Sequence, residues 1–316
     1  MKMIKSTLSL LAAIIIFASC NQFQKSPSGM PYKITKGSSK ELLKHGQFVK
    51  LHIEYKLKSK DTVLNTSYGH IPMYFYLDTA RLGKYTFTEV ITKCAPGDKM
   101  EFSLSIDSLK KMGMIEFNEV FKTGDFINGK LEVIAAFAKE DLVKVDYEKE
   151  VKKEKETEIA AVKKYAESKN MKTVSTKSGA LVEITNPGTG QKADSGFQVS
   201  VMYRGYFTDK EGKEFDANMG KLARDNKPLE VVIGQHGVIP GWEEGLTFFA
   251  KGGKGRIVVP SFLGYGPQGS PPAIGPFANL CFDVEIVDVK LAPPPPPPAP
   301  GNGMTGMPGV PGAPAK

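Results

Sequence analysis

The chain has 316 residues, of which 41% are hydrophobic and 24% are charged, and its formal net charge at pH 7 is +8. This length suggests about two domains, and because the basic residues are scattered rather than grouped in a run, the composition argues against a nucleic-acid-binding protein. The four histidines have no cluster of cysteines or carboxylates near them in the sequence, so we predict neither a metal site nor any cofactor.

Residues 1–19 have the composition of a targeting signal. Two lysines precede an apolar run that is too short to span a bilayer as a stable helix, and small residues lead up to Cys20. This pattern resembles a bacterial lipoprotein signal, although Phe17 departs from the leucine preferred at the start of that motif. The resemblance implies cleavage before Cys20, lipidation of its sulfur, a tether over 20–29, and anchoring to a membrane of the bacterial cell envelope, facing the periplasm rather than the outside. The alternative is an ordinary secretory signal cleaved nearby.

The chain then repeats itself, because residues 178–205 resemble residues 28–55. The matched residues are Ser28-Gly29 with Ser178-Gly179, Ile34-Thr35 with Ile184-Thr185, Gly46 with Gly196, and Val49, Leu51 and Ile53 with Val199, Val201 and Tyr203. The last two triplets alternate with a period of two, as half-buried strands do. We therefore predict a duplicated domain, with copies over 30–137 and 173–291.

Both copies end in a run rich in β-branched and aromatic residues, 129–137 and 278–289, which predicts a last strand in each. Each copy contains one cysteine, Cys94 or Cys281. We expect both to be small buried apolar side chains. The alternative, in an oxidising compartment, is that they pair.

Residues 138–172 form the segment between the copies. Glutamates and lysines alternate at spacings of three and four, which favours a long solvated helix. Ile159, Val162 and Tyr165 suggest that one end packs against a domain. A spacer is the preferred interpretation, and a homodimer formed through this helix is the alternative, although apolar positions are not sustained over several heptads.

The only tryptophan, Trp242, lies in a predicted short helix that begins at Pro240, since proline suits the first helical position. Two glutamates follow in the first turn, where the helix dipole favours negative charge. Leu246 and Phe249 share a face with the indole. Lys251-Gly252-Gly253 predicts the stop.

The second copy resembles the FKBP-type peptidyl-prolyl cis–trans isomerases. The blocks that carry the resemblance occur in order: "VSVMYRGYF", "GKEFDAN", "PLEVVIGQHGVIPGWEEGL", "KGGKGRIVVP", "LGYGPQG", "PPAIGP" and "LCFDVEIV". The resemblance covers about 115 residues and implies an α+β fold. Each copy is then an antiparallel sheet curved around a short helix, and a long charged helix joins the two.

The resemblance also implies a proline-binding pocket. The residues implied in catalysis are Tyr203, Asp216, Ile239 and Tyr265, and those implied in substrate binding are Phe215, Leu229, Val238, Trp242, Ile274 and Phe282. By resemblance, Tyr203 donates a hydrogen bond to Asp216, while the Ile239 N–H and the Tyr265 hydroxyl bind substrate carbonyls. Leu229 stands where the family commonly has phenylalanine, and Gly275 where it often has proline.

The first copy lacks these residues. Ile53 stands in place of Tyr203, Leu64-Asn65 in place of Phe215-Asp216 with one gap allowed, and Phe87 in place of Trp242. We expect a degenerate FKBP-like domain with a binding or scaffolding role. Residues 292–316 are a Pro/Gly-rich segment that we expect to be disordered, with a polyproline-II-like start.

The resemblance implies a lipid-anchored prolyl isomerase that acts on proline-containing polypeptide clients and assists the folding of exported proteins. The alternative is a non-catalytic chaperone that uses the pocket and the first copy only to hold clients.

Overall fold

The computed structural model describes residues 22–209, 212–223 and 226–293. It divides into two compact units, Met1–Glu154 and Lys155–Lys316. The predicted signal, the predicted lipidation site Cys20 and residues 294–316 of the Pro/Gly-rich segment lie outside the described residues. Within the described ranges, no helix is both long and apolar enough to cross a membrane.

The first unit contains a seven-stranded antiparallel sheet. Its strands are β1 (Gln24–Lys25), β2 (Pro31–Thr35), β3 (Phe48–Leu57), β4 (Thr62–Thr66), β5 (Met73–Tyr76), β6 (Lys99–Ser105) and β7 (Phe126–Phe137). They are ordered β1-β2-β6-β7-β3-β4, and β5 pairs with β3 beside β4. A 3₁₀ segment, Phe87–Lys93, and a short helix, α1 (Ile106–Lys111), complete the unit.

The long helix α2 spans Glu140–Ser168. It is followed by the strands of the second unit, which are β8 (Thr173–Ser175), β9 (Leu181–Asn186), β10 (Thr189–Lys192), β11 (Phe197–Phe207), β12 (Glu214–Ala217), β13 (Leu229–Val232), β14 (Ala250–Lys251), β15 (Lys254–Val259) and β16 (Leu280–Leu291). The large sheet is ordered β8-β9-β15-β16-β11-β12, with β13 on β11, and β10 pairs with β14. Helix α3 (Pro240–Leu246) packs against β15.

The two large sheets have the same strand order, so the fold repeats with the sequence. Inward-facing residues at alternate positions, such as Val199 and Val201 on β11, are fully buried, and Val49 and Leu51 are their counterparts on β3. The predicted α+β architecture with antiparallel sheets is confirmed. Cys94 and Cys281 are both buried thiols, as predicted.

Both halves of α2 pack closely, so the helix is more than the solvated spacer that its charge pattern suggests. In the first unit, Lys50 is buried and its ammonium lies 2.7 Å from both Asp146 and Glu150 of the helix. In the second unit, Val162 is fully buried in a cluster that includes Cys281. A charge-rich helix can therefore still pack against each unit, because in the first unit its carboxylates pair with a buried lysine.

Helix α3 begins at Pro240 as predicted but ends at Leu246, so the predicted stop at Lys251-Gly252-Gly253 is wrong. The Ala250 N–H bonds the Pro187 carbonyl at 2.9 Å, and β14 then pairs with β10. This pairing draws the chain out of the helix before the glycines are reached. Phe249 remains fully buried beside Leu246, on a turn rather than on the helix.

Candidate active site

Nine of the ten predicted pocket residues line one cavity of about 140 Å³ in the second unit. They come from four strands, helix α3 and the loops around them: Tyr203, Phe215, Asp216, Leu229, Val238, Ile239, Trp242, Tyr265 and Phe282. Gly237 also lines the cavity and was not predicted. Residues far apart in the sequence thus converge, because β11, β12, β13 and β16 are neighbours in the sheet.

Aromatic rings form the floor and walls. The Trp242 ring lies 5.1 Å from both Tyr203 and Phe282, edge to face in each case, and Phe215 stands perpendicular to Phe282 at 5.7 Å. Edge-to-face pairs of this kind fix the rings relative to one another. Trp242 is 3% exposed, whereas Leu229 at the rim is 39% exposed. The result is an apolar cup with a rigid base and an open edge.

Three side chains that carry polar groups line this cup, Tyr203, Asp216 and Tyr265. The Tyr203 hydroxyl donates to Asp216 Oδ2 at 2.6 Å, which is the hydrogen bond that the resemblance implies. Burial raises the pKa of Tyr265 above its ordinary value, and the charge of Asp216 raises it further. The Tyr265 hydroxyl therefore stays protonated at neutral pH and can donate a hydrogen bond to an occupant.

Two N–H groups at the pocket have no acceptor within the described part of the chain. Trp242 Nε1 is buried without a hydrogen-bond partner there, and the Ile239 N–H, at the start of α3, bonds no other described backbone group. A buried unpaired donor costs about 1–3 kcal/mol, because it has lost water without gaining an acceptor. The Ile239 N–H, on a residue that lines the cavity, is thus available to an acceptor from an occupant, whereas Trp242 Nε1 is enclosed by its neighbours.

Ile274 is the predicted residue that does not line the cavity. It is 4% exposed and packs in the core of the second unit, and its backbone pairs with Ser270. Its proposed contact with substrate therefore remains a prediction.

The two glutamates of α3 bind two segments that precede the helix in the sequence, contacts that the sequence analysis missed. Glu243 accepts a hydrogen bond from the His236 backbone N–H at 2.6 Å and lies 3.1 Å from the His236 imidazole. These contacts hold His236, which precedes Gly237 of the cavity lining, in a left-handed conformation with φ of 54°. Glu244 accepts the N–H and hydroxyl of Ser178, at 3.0 and 2.5 Å. The sequence repeat could have indicated the second contact, because Ser28 and Glu89 form the equivalent pair in the first unit.

Strand registers identify the equivalent positions in the first unit. Ile53 opposes Leu131 as Tyr203 opposes Val284, and Asn65 pairs with Tyr55 as Asp216 pairs with Gly205. The predicted replacements of Tyr203 and Asp216 therefore stand at the predicted places. The single-residue gap falls between β3 and β4.

The strand register also shows which side chains occupy the space in the first unit that corresponds to the cup. Gly129 occupies the place of Phe282, and Tyr55 the place of Gly205. The ring of Phe102, on the neighbouring strand, lies where a side chain on Gly129 would stand. It packs 6.1 Å from Phe87 and 5.7 Å from Tyr55. Aromatic rings thus occupy the space above Phe87 that corresponds to the cup above Trp242.

Comparison with known proteins matches residues 189–287 to the family model of the FKBP-type peptidyl-prolyl cis-trans isomerases. FkpA of Escherichia coli K12 is 42% identical over 130 residues, which cover 41% of this chain and 44% of FkpA. A probable FKBP-type isomerase of Haemophilus influenzae is 35% identical over 58% of this chain and 71% of its own length. An FK506-binding protein of Neisseria meningitidis serogroup B is 34% identical over 35% of this chain and 96% of its own length.

Two solved structures are similar as well. The crystal structure of Escherichia coli FkpA is 35% identical and covers 49% of this chain and 69% of that one, with a TM-score of 0.37. An isomerase from Pseudomonas syringae pv. tomato is 30% identical and covers 42% of this chain and 94% of that one, with a TM-score of 0.35. The chain spans 44% of the length of FkpA in the sequence comparison.

Proposed function

Because this chain belongs to the FKBP-type peptidyl-prolyl cis–trans isomerase family, we propose that its second unit catalyses the cis–trans isomerisation of X-Pro bonds in polypeptide clients. The observation that supports this most is the aromatic cavity of about 140 Å³ above Trp242. An apolar protein cavity of about 150 Å³ holds benzene, so this one has room for the smaller ring of a proline.

The size of the task is set by amide resonance. Rotation about the X-Pro bond crosses a barrier of about 18–20 kcal/mol, and without a catalyst it takes roughly 10–100 s. Reaching milliseconds requires a barrier lower by about 5–6 kcal/mol. The reaction breaks no bond to carbon or nitrogen, so the pocket needs to stabilise only a twisted amide.

Desolvation and shape supply that stabilisation. The planar amide is more charge-separated than the twisted one, and water therefore favours the planar form. Trp242, Phe282 and Tyr203 hold the proline ring and exclude water, which favours the twisted amide. The Ile239 N–H and the Tyr265 hydroxyl each bind a substrate carbonyl. Asp216, held by Tyr203, polarises the pocket near the carbonyl that rotates.

The clients are proline-containing segments of exported proteins, and Cys20 carries the lipid that anchors the protein in the cell envelope, facing the periplasm. This part of the proposal rests on the N-terminal sequence pattern. The Neisseria relatives are named for FK506 binding, and we extend that ligand to the pocket of this chain.

The test is a prolyl-peptide isomerisation assay on the full chain with Asp216→Val and Tyr265→Phe. We expect wild type to accelerate isomerisation and both substitutions to lower kcat/KM, because each removes a polar group from the cup. An inactive wild-type chain, or variants as active as wild type, would contradict the proposal. FK506 should inhibit the wild-type chain.

A second candidate, the non-catalytic client-holding chaperone, is favoured by one surface of the first unit. Met112, Met114, Phe117 and Val120 follow one another in a single loop, and each is between 44% and 49% exposed. Exposed apolar clusters often bind other polypeptides. Client protection that persists in Asp216→Val after turnover is lost would favour this function, and loss of both together would count against it.

A third candidate is a homodimer through α2. Leu142, Val145 and Tyr147 are about half exposed on the helix, at 52%, 52% and 46%. Light scattering on the full chain distinguishes a dimer from a monomer.

A further inference from the structure

Helix α2 places a buried carboxylate against the second unit. Glu158 is 7% exposed, and its two oxygens accept hydrogen bonds from the Ser261 hydroxyl at 2.7 Å and from the Phe262 N–H at 2.9 Å. A carboxylate taken out of water is costly unless it gains such bonds. Bonds to a charged acceptor are also stronger than neutral ones. The contact is therefore a specific one and not incidental packing.

The residues that Glu158 binds are at the root of the loop that carries Tyr265. Ser261 begins the 3₁₀ turn Ser261–Leu263, which Pro260 joins to β15, and Tyr265 follows this turn by two residues. Ser261 is 1% exposed, and its N–H donates to Asn279 Oδ1 at 2.8 Å, just before β16. The start of the loop is thus held from two sides, by Asn279 and by Glu158.

The first unit offers an internal comparison. Phe102 and Ile257 occupy equivalent positions, because Phe102 pairs with Gly129 and Ile257 with Phe282. Counting four residues on from each makes Ile106 the equivalent of Ser261. Ile106 is fully buried and apolar. Its side chain cannot donate to a carboxylate. Within one chain, then, the hydroxyl that binds Glu158 is present in the copy with the open cup and absent from the copy in which rings fill that space.

We propose that Glu158 is a positioning residue for Tyr265, so that the C-terminal half of α2 is a working part of the catalytic unit. This inference rests on the proposed isomerase function. Tyr265 is 39% exposed and lines the cup at its edge. Fixing the loop at Ser261 and Phe262 sets where that hydroxyl meets a substrate carbonyl. Misplacing a catalytic group by about 1 Å can cost roughly 100-fold in rate.

The experiment uses the full chain with Glu158→Ala and Glu158→Gln, each with and without Tyr265→Phe. Alanine leaves both donors without an acceptor, and we expect kcat/KM to fall about tenfold, as a partial displacement of the loop would cause. Glutamine can accept from the Phe262 N–H and donate to the Ser261 oxygen, so it should stay within about twofold of wild type. In the Tyr265→Phe background, Glu158→Ala should cause no further loss, because the two residues act through one hydroxyl.

Val162→Ala is the matched control, since Val162 is fully buried on the same helix and packs in an apolar cluster separate from the one that contains Trp242. It should lower the melting temperature and leave kcat/KM within about twofold of wild type. An active wild type with an equally active Glu158→Ala variant would overturn the inference alone. The inference would also fail if the losses of kcat/KM from Glu158→Ala and Tyr265→Phe added up in the double variant. It would fail as well if Val162→Ala lowered kcat/KM as much as Glu158→Ala does. An inactive wild type would instead overturn the proposed function.

Discussion

At the scale of single residues, the pocket depends on a few exchanges between large and small side chains. Gly205 leaves room for the rings of Phe215 and Phe282, and a Cβ on it would lie 2.8 Å from an atom of each. In the first unit Tyr55 takes the place of Gly205, and Gly129 takes that of Phe282. The same strand geometry therefore holds an open cup in one copy and a filled one in the other.

Gly205→Ala should destabilise the second unit by about 1–3 kcal/mol, as overpacking of a core does. Because the displaced rings are the pocket walls, we expect kcat/KM to fall at least about tenfold. Gly129→Ala is the matched change in the first unit, where the added methyl would overlap Phe102. It should destabilise that unit and leave isomerase activity unchanged. Steady-state kinetics and calorimetric unfolding measure both effects. Equal kinetic effects of the two changes would contradict this assignment.

Tyr203→Phe keeps the ring against Trp242 and removes the donor to Asp216. A hydrogen bond of this kind is worth about 1 kcal/mol, so we expect kcat/KM to fall roughly fivefold if Asp216 is then less well held. Tyr206→Phe is the control, because the Tyr206 hydroxyl bonds Asp283 and Cys281 outside the cup. It should cost stability and spare turnover. The prediction fails if Tyr206→Phe slows the reaction as much as Tyr203→Phe.

At the scale of elements, the buried cation Lys50 is one of the contacts that hold α2 to the first unit. Burial alone would lower the pKa of Lys50, but hydrogen bonds to Asp146 and Glu150 outweigh it and raise the pKa above its ordinary value. For Asp146, burial would raise the pKa, but hydrogen bonds from Lys50 and Tyr74 lower it below its ordinary value. Both charged forms are therefore favoured in the folded state.

We expect Lys50→Met to destabilise the first unit by about 2–3 kcal/mol, because it leaves two carboxylates without their partner. The carboxylates are 27% and 24% exposed, so the loss should lie below that of a fully buried pair. Lys56→Met removes an exposed pair with Asp61 and should cost about 0–1 kcal/mol. Unfolding of the two units can be distinguished, because the fluorescence of Trp242, the only tryptophan, follows the second unit and a signal from the whole chain follows both.

The pH dependence follows from these directions. Asp146 has a lowered folded pKa, so its contribution is present above its unfolded pKa of about 4 and disappears as the pH falls through the folded value. Lys50 has a raised folded pKa, so its contribution is present below about pH 10.4 and disappears as the pH rises through the folded value. The stability difference between wild type and Lys50→Met should be level from about pH 5 to 9 and shrink below about pH 4. If the stability difference between wild type and Lys50→Met grew as the pH fell below about 4, this prediction would be contradicted.

At the scale of the whole molecule, the described part of the chain carries one fold twice, and the aromatic cup above Trp242 lies in the second copy. The sheets share their strand order, and both units fasten a serine after the first strands to a glutamate on the pocket element, Ser28 to Glu89 and Ser178 to Glu244. These shared contacts keep the framework. Among the residues that differ are Tyr203, Asp216 and Trp242 of the cup, which Ile53, Asn65 and Phe87 replace in the first unit.

We therefore expect each chain to bind one FK506 molecule, and to do so in the second unit. Calorimetric titration should give a stoichiometry of one per chain, and the fluorescence of Trp242, the only tryptophan, should change as the cup fills. Asp216→Val with Tyr265→Phe should bring isomerisation by the full chain down to the uncatalysed rate. Binding of two ligands per chain, or residual catalysis in the double variant, would show that the first unit is also active.

Local pattern determined much of this protein. Alternation along Val199, Val201 and Tyr203 predicted a half-buried strand, and Pro240 predicted where α3 begins, because backbone conformation and burial period depend on nearby residues. The repeat predicted two copies of one fold. Of the ten residues that the resemblance assigned to a pocket, nine line the cavity above Trp242.

Only the tertiary structure decided where α3 ends, what fills the first unit, and that Glu158 reaches Ser261. Each depends on a contact between segments far apart in the chain: Ala250 with Pro187, Phe102 with Gly129, and a helix carboxylate with a loop 103 residues away. Such contacts form because buried polar groups need partners and buried space must be filled. The partner is chosen by three-dimensional proximity, which no local pattern records.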